Sequence, residues 1–541
     1  QAQVRPGALD YPETMKLMVR LAPAIFLQLL QQAIADLPVH CLRHQVAGDW
    51  EFTLGPAAPR RSSCGHHNPD GQYAQPPLDF VASQGPTTSL RLSLADPATV
   101  RAEDGTEGTW TMIYDEGFEV AIGDQVYFAF SNFAFVSDGN KGKTNQSHCD
   151  ATQVGWYHNT ERTQWGCYVG RKAGGAAPEV RRASLAWMSA QDSRSQQGPD
   201  SSQVPSGYKP WVPGSAGYDQ PMPVAWQQSV VDTLNLLQLG WRATTYEIFQ
   251  GKTPRELNRF AGVRRHRTMV QQKRSSQKSR SFSSFLGIGS RVRRADAGEA
   301  FDWRNQNGQN WLEPVVTQGD CGSCYTISTI HMLTARNRIR HDDHTEPSFS
   351  VSFPLYCSEY NQGCDGGYGF LQSKWSEDVG LVPESCAPFS QGGGGCQLAP
   401  GCDLGEKRYR AVNHHYVGGY YGASSEEPIR QELMSNGPMV MSFEPKEDFM
   451  YYKNGLYRSG PNRIHQEWEQ VDHAVLLAGF GTENGQQYWT MQNSWGNDWG
   501  EDGFFRMARG IDESGCESIV VAADVAEEHG NSVLDEFLAG L

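Results

Sequence analysis

The segment Q-G-D-C-G-S-C-Y, Gln318 to Tyr325, places two cysteines three apart behind a glutamine. Three chemistries use such a pair. A zinc clip needs two further ligands at comparable spacing. The later cysteines (Cys357, Cys364, Cys386, Cys396, Cys402) contain no second C-x-x-C. A dithiol redox centre needs a βαβ context, whereas D-W-R-N-Q-N-G, Asp302 to Gly308, reads as a loop. The third chemistry is a nucleophilic thiol beside a structural one. Tyr325 to Arg340 has no Gly or Pro and sets Ile327, Ile330 and Leu333 at helical spacing, which predicts a helix beginning at Cys324. The unpaired N–H groups and positive dipole end of a helix start lower a thiol's pKa.

A thiolate needs a base, and V-D-H-A-V-L-L-A-G-F-G supplies His473 at the mouth of an apolar strand, Ala474 to Phe480. Asn484-Gly485 then signals a tight hairpin turn. The return strand Q-Y-W-T-M-Q leads into N-S-W-G, with Asn493 and Trp495. Hairpin pairing returns Asn493 to the end of the strand that carries His473. An asparagine there holds the imidazole tautomer through a neutral hydrogen bond, and Trp495 shields that bond from water. Gln318, six residues before Cys324, offers a side-chain N–H that joins the Cys324 backbone N–H as an oxyanion donor pair. One such donor is typically worth about 3–4 kcal/mol of barrier. The candidate nucleophile, base, orienter and oxyanion donor are thus Cys324, His473, Asn493 and Gln318, with Cys321 the structural thiol.

The bulk properties fit a loop-rich enzyme. At 541 residues with 57 glycines, two or three domains are expected. A net charge of −15 argues against nucleic acid as a partner. M-K-L-M-V-R, Met15 to Arg20, followed by L-A-P-A-I-F-L-Q-L-L and the small residues Ala33 to Ala35, has the form of a secretory signal. Cleavage there leaves Asp36 as the new terminus, and no segment remains long and apolar enough to span a membrane. Residues 1–14 lie upstream of Met15. Secretory entry permits disulfides and makes Asn145-Gln-Ser147 a candidate glycosylation triplet.

Along the chain, residues 36 to about 170 read as all-β, on W-E-F-T-L (Trp50 to Leu54), L-R-L-S-L (Leu90 to Leu94) and V-Y-F-A-F (Val126 to Phe130). From about 172 to 220 a Gly/Ala/Ser/Gln/Pro-rich stretch lacks material for a core. One helical island, Val230 to Trp241, follows. Between Arg264 and Arg294 there are ten Lys/Arg and no Asp or Glu, which reads as an exposed, cleavable spacer.

Four motifs resemble the papain-like cysteine peptidases: Q-G-D-C-G-S-C, G-C-D-G-G (Gly363 to Gly367), D-H-A-V and N-S-W-G-N-D-W-G (Asn493 to Gly500). Tyr325 replaces the tryptophan usual after the nucleophile. With C-S-E-Y-N-Q-G-C-D-G-G, Y-V-G-G-Y-Y-G (Tyr416 to Gly422) and A-T-T-Y (Ala243 to Tyr246), it points to the dipeptide-releasing branch of that family. The resemblance covers nearly the whole chain. It implies an α+β fold, a two-lobed papain-like peptidase domain preceded by an all-β, barrel-like exclusion domain and a propeptide. The implied domains are 1–35 (extension and signal), 36–171 (exclusion domain), 172–297 (propeptide and linker, excised) and 298–541 (peptidase, with a second cut near 463).

The resemblance also implies that the exclusion domain blocks the cleft, and that Asp36 at its start meets the substrate's ammonium. A carboxylate there leaves an acylated terminus unmatched, a discrimination by unsatisfied polar groups. It implies the pairs Cys41–Cys149, Cys64–Cys167, Cys321–Cys364, Cys357–Cys396 and Cys386–Cys402, with Cys324 and Cys516 left over. It implies a chloride ion at the base of the pocket for the second substrate side chain, near Tyr368, Phe370 and Tyr416, and no metal or organic cofactor. Gly366 and Gly367 would pair with the substrate backbone beside Trp495. Gly369 departs from the family's proline, and the segment between the domains is longer than the family's. Implied partners are peptide and protein substrates with free N-termini, activating proteases and further copies of the chain. The implied location is a lysosome, vacuole-like or granule compartment, or the exterior. Two other readings stand beside this one: a papain-like endopeptidase with a removable inhibitory β domain, and a ligand-binding barrel on a peptidase remnant.

Overall fold

Alternation in W-E-F-T-L puts Trp50 and Phe52 on the buried face of β1 (Gly48–Leu54). The computed structural model, which describes residues 39–67, 75–137, 143–173, 217, 219–261, 300–459, 473–528 and 532–541, carries that face into a barrel. Its strands are β2 (Thr88–Ala95), β3 (Thr99–Ala102), β4 (Glu107–Ile113), β5 (Gly117–Ile122), β6 (Gln125–Ser137), β7 (Lys143–Thr152), β8 (Gly155–Asn159) and β9 (Trp165–Lys172). They run β1-β2-β3-β4-β5-β6-β7-β9-β8, and antiparallel pairing of β1 with β9 closes the ring. Phe52 meets Tyr168 and Tyr127 inside, and Trp50 meets Phe118. β6 is buried on both faces along Tyr127–Phe130. One face lines the barrel; on the other, Phe128 and Trp156 stack and both meet the edge of Tyr360 from the C-terminal domain.

The second sheet contains β10 (Trp241–Ala243), β11 (Phe301–Asp302), β12 (Arg408–Tyr416), β13 (Met439–Phe443), β14 (Tyr452–Tyr457), β15 (His473–Glu483), β16 (Gln486–Gln492), β17 (Phe504–Ala508) and β18 (Ile519–Glu528). Its order is β10-β14-β17-β16-β15-β13-β18-β12, with β11 on β15 and only β14–β17 parallel among the described pairs. Asn484 and Gly485 both take positive φ, 50° and 76°, which is the turn that closes the β15–β16 hairpin. The helix Cys324–His341 packs on β15 and β18 and is buried from Cys324 to Asn337. Arg336, in its middle, is tied to Glu432 and Asp524 at 2.9 Å each and to the Pro438 carbonyl. Arg338 and Arg340 place positive charge in its last turn, where the dipole favours it.

Five disulfides are present: Cys41–Cys149 and Cys64–Cys167 in the barrel, and Cys321–Cys364, Cys357–Cys396 and Cys386–Cys402 in the helical lobe. Cys324 and Cys516 are buried thiols. No helix among the described residues is long and apolar enough to cross a membrane.

The helical island differs from its sequence reading. The helix spans Val224–Leu236, starting after Pro223 and ending before Gln238 (φ 51°) and Gly240 (φ 88°). Trp241 leaves the helix and pairs with Gly455 as β10. Proline at the entry is pre-set for a helix start, and the later Gln-Leu-Gly breaks the apolar spacing. Residues 219–261 therefore bring a helix and dock a strand onto the edge of the second sheet.

Candidate active site

Cys324 is the first residue of its helix and is fully buried behind the Cys321–Cys364 bridge. Gly322 N–H donates to the Cys364 carbonyl at 2.8 Å, holding the approach loop against the helical lobe. Ser328 Oγ and Thr329 Oγ1 donate to the Cys324 and Tyr325 carbonyls one turn on. The first turn of this helix is thus rigid.

His473 opens β15, where it pairs with Phe443 of β13. Its Nε2 lies 2.8 Å from Asn493 Oδ1. The same Oδ1 accepts the Ser494 backbone N–H at 2.9 Å, and an N–H can only donate, so the amide orientation is fixed. Nε2 therefore carries the hydrogen of the neutral ring, and Nδ1 is the basic nitrogen. Trp495 stacks over the imidazole at 5.0 Å, and Trp499 backs Trp495 edge-on at 4.9 Å. The helix bearing Cys324 packs on the strand that His473 opens.

Gln318 is buried, and its amide is held on both sides. Ser494 Oγ donates to Oε1 at 2.7 Å, and Nε2 donates to the carbonyls of Cys321 (3.0 Å) and Arg259 (3.2 Å). The second contact was not legible in the sequence. Residues 246–261 run along this side of the site: Trp495 Nε1 donates to the Phe260 carbonyl at 3.0 Å, and Phe249 and Phe260 pack edge-on against its ring. Tyr246 Oη accepts the Gly500 N–H at 3.0 Å and anchors the segment further back.

On the other wall, Gly367 is held so close to Asn361 Oδ1 and Tyr325 that any Cβ would lie 2.3 Å and 2.7 Å from them. Only glycine fits there. Tyr368 N–H donates to the same Asn361 oxygen at 2.9 Å. Beyond it, Phe370 and Tyr416 stack at 4.5 Å. The Tyr416 hydroxyl is buried, lies toward the Tyr114 backbone and closes no hydrogen bond of normal geometry. Burial holds its phenol well above the ordinary range, so it remains an O–H donor.

The barrel is seated here by buried charge. Lys374 reaches Glu119 of β5 at 2.9 Å and Asp378 at 3.2 Å. His414 lies 2.6 Å from Glu377 and 3.2 Å from Glu119. Arg162 of the barrel pairs with Glu377, and Arg61 with Glu359. Burial opposes the charge on His414, but Glu119 and Glu377 outweigh it and raise the imidazole to about 9. Burial likewise opposes Glu377, yet His414 and Arg162 hold it down at about 2.

Asp36 and the cut near 463 lie outside the described residues. Asn145 lies on β7, opposite Phe135.

Residues 297–524 match the papain family of cysteine proteases, and residues 36–172 match the cathepsin C exclusion domain. Cathepsin C of Schistosoma mansoni is 30% identical over 511 residues, covering 92% of this chain and 97% of that one. A gut-specific cysteine proteinase of Caenorhabditis elegans is 32% identical over 247 residues, 42% of this chain and 74% of its own. Procathepsin B S9 of Trypanosoma congolense, a solved structure, aligns with TM-score 0.44 at 24% identity over 57% of this chain and 100% of its own. The chain belongs to the papain family of cysteine proteases, in the branch that carries a cathepsin C exclusion domain. It is a cysteine peptidase.

Proposed function

We propose that this chain is the precursor of a cysteine dipeptidyl peptidase, which removes dipeptides from free N-termini of peptides and proteins. His473 Nδ1 takes the Cys324 proton, and Sγ attacks the carbonyl carbon of the substrate's second residue. Gln318 Nε2–H and the Cys324 N–H hold the oxyanion. Collapse breaks the C–N bond as His473 returns the proton to the leaving amine. Water, deprotonated by His473, then hydrolyses the thioester, releasing the dipeptide and restoring the thiol.

The observation that carries the dipeptide register is the barrel turn Tyr114–Glu116, whose Tyr114 ring lies on Tyr368 at 3.7 Å. An endopeptidase needs the cleft open beyond that point. Asp36, at the start of the same barrel, is the carboxylate assigned to the substrate ammonium. The described chain that follows it is tied to the barrel turn: Cys41 N–H donates to the Asp115 carbonyl, and His40 Nδ1 lies 2.8 Å from Asp115 Oδ2.

Chloride fits the pocket floor. The buried Tyr416 O–H offers a donor without a normal partner, and Phe370 offers an aromatic wall. Bound there, the anion would supply a fixed negative charge at the pocket's base. Residues 246–261 keep the precursor closed, since the Arg259 carbonyl accepts the Gln318 N–H that the oxyanion needs. Excision of this segment by activating proteases, in a secretory or lysosome-like compartment, completes the enzyme. Tests of oligomeric state belong to the processed form.

The test is turnover of two fluorogenic dipeptides by processed protein at about pH 5–6, where a Cys–His pair works. One has a free amine and the other is acetylated. Turnover of the free form alone is expected; equal turnover of both contradicts the dipeptide register.

A further inference from the structure

Tyr114 lies in the connection between β4 and β5, where Ile113 pairs with Gly117, and its backbone has φ 51°. Side chains other than Gly, Asn and Asp rarely occupy that left-handed region, and a bulky ring there is an outlier held by its surroundings. Such positions cluster at sites where the side chain is needed. The surroundings here belong to the peptidase domain. The ring is 2% exposed, lies flat on Tyr368 (3.7 Å, 28°), and meets Tyr416 at 6.5 Å and Tyr421 at 5.4 Å. Its phenol lies against the side chain of Ser442 of β13. Ser442 pairs with Ala474, next to the Phe443–His473 pair. One side chain of the barrel therefore bridges both walls of the cleft, from the Tyr368 aromatic group to the strand beside His473.

We propose that Tyr114 is a specificity-determining residue, which closes the pocket for the substrate's N-terminal side chain and sets an upper limit on its size. The wall is supplied by the barrel, and the stack on Tyr368, with Ser442 behind it, keeps the ring from swinging away from a larger group. The inference rests on the dipeptide-releasing reading for the identity of the side chain that enters the pocket.

The experiment measures kcat/KM for fluorogenic dipeptides with one fixed second residue and Ala, Leu, Phe or Trp first. Each is tested free and acetylated, on processed wild type, Tyr114→Gly, Tyr114→Phe and Ser442→Ala. Glycine accepts φ 51° without strain, so Tyr114→Gly retains the turn. The Trp-to-Ala ratio is expected to rise about tenfold or more in Tyr114→Gly, the scale at which a pocket discriminates side-chain size. Tyr114→Phe and Ser442→Ala should shift it in the same direction by less. An unchanged ratio, or an equal fall for every substrate, overturns the proposal. If Tyr114→Gly does not fold, an unchanged ratio in both milder variants overturns it. If wild type cleaves acetylated substrates as well as free ones, the dipeptidyl reading falls, and the ratio within the acetylated series still decides the role of Tyr114.

Discussion

His414 Nδ1 lies 2.6 Å from Glu377 Oε2 in the buried seam between barrel and peptidase domain, and its Nε2 reaches Glu119 of the barrel at 3.2 Å. The ring links the two units through charge.

That linkage gives stability a pH signature. His414 is raised from 6.5 to about 9, so its contribution is complete below about 6.5 and is lost as pH rises through 9. Glu377 is depressed from 4.5 to about 2, so its contribution is present above 4.5 and is lost as pH falls towards 2. His66 and His158 are driven down by burial to about 4. In the unfolded chain they take protons near 6.5, so they weaken the fold between 6.5 and 4. The melting temperature should peak near pH 6–7 and decline on both sides. A scan from pH 3 to 10 checks this, and a maximum below pH 4.5 is the wrong outcome.

Lys374 stands between Glu119 and Asp378, and burial, which opposes its charge, is outweighed by those two carboxylates. Lys374→Met removes a buried cation shared by two carboxylates, a loss commonly worth about 3–5 kcal/mol. After cleavage between the domains, gel filtration should show the barrel separating from the variant's peptidase domain but not from wild type.

Replacing Gln318 by Ala removes the side-chain N–H proposed as an oxyanion donor and should lower kcat by about 10²–10³ with little change in KM. Cys324→Ala should abolish turnover. Asn493→Ala should lower kcat through loss of the imidazole's fixed tautomer, with the fold intact by melting. Steady-state kinetics on processed variants separates these outcomes.

The segment 246–261 covers Gln318 and Trp495. A small thiol reagent should label Cys324 slowly in the intact chain and much faster once the segment is cut out. Phe260→Ala, which removes a ring packed on Trp495, should speed labelling without any cut. Mass spectrometry of the labelled peptide reads both rates. Equal rates before and after excision count against the closed precursor.

Local signals made much of this structure legible. A Gly- and Pro-free run after Cys324 predicts the helix that begins there, and Asn484-Gly485 predicts the hairpin that returns Asn493 to His473. Both depend on neighbours in sequence. Trp241 was misread as helical because its strand exists only through pairing with Gly455, more than 200 residues away. Tyr114 looked like one aromatic among many. Its significance comes from a positive φ and from Tyr368 and Ser442, which no local pattern reports. Lys374 and Glu377 sit on a helix buried all round, where a charge in isolation reads as solvent-facing.

The most direct measurement is a mass ladder. Processed enzyme is incubated at about pH 5–6 with a synthetic peptide of roughly a dozen residues with a free N-terminus and no proline, and the products are weighed over time. Successive losses of two residues from the N-terminus, abolished by acetylation, are the predicted result. Internal fragments that persist when the terminus is acetylated would contradict the account.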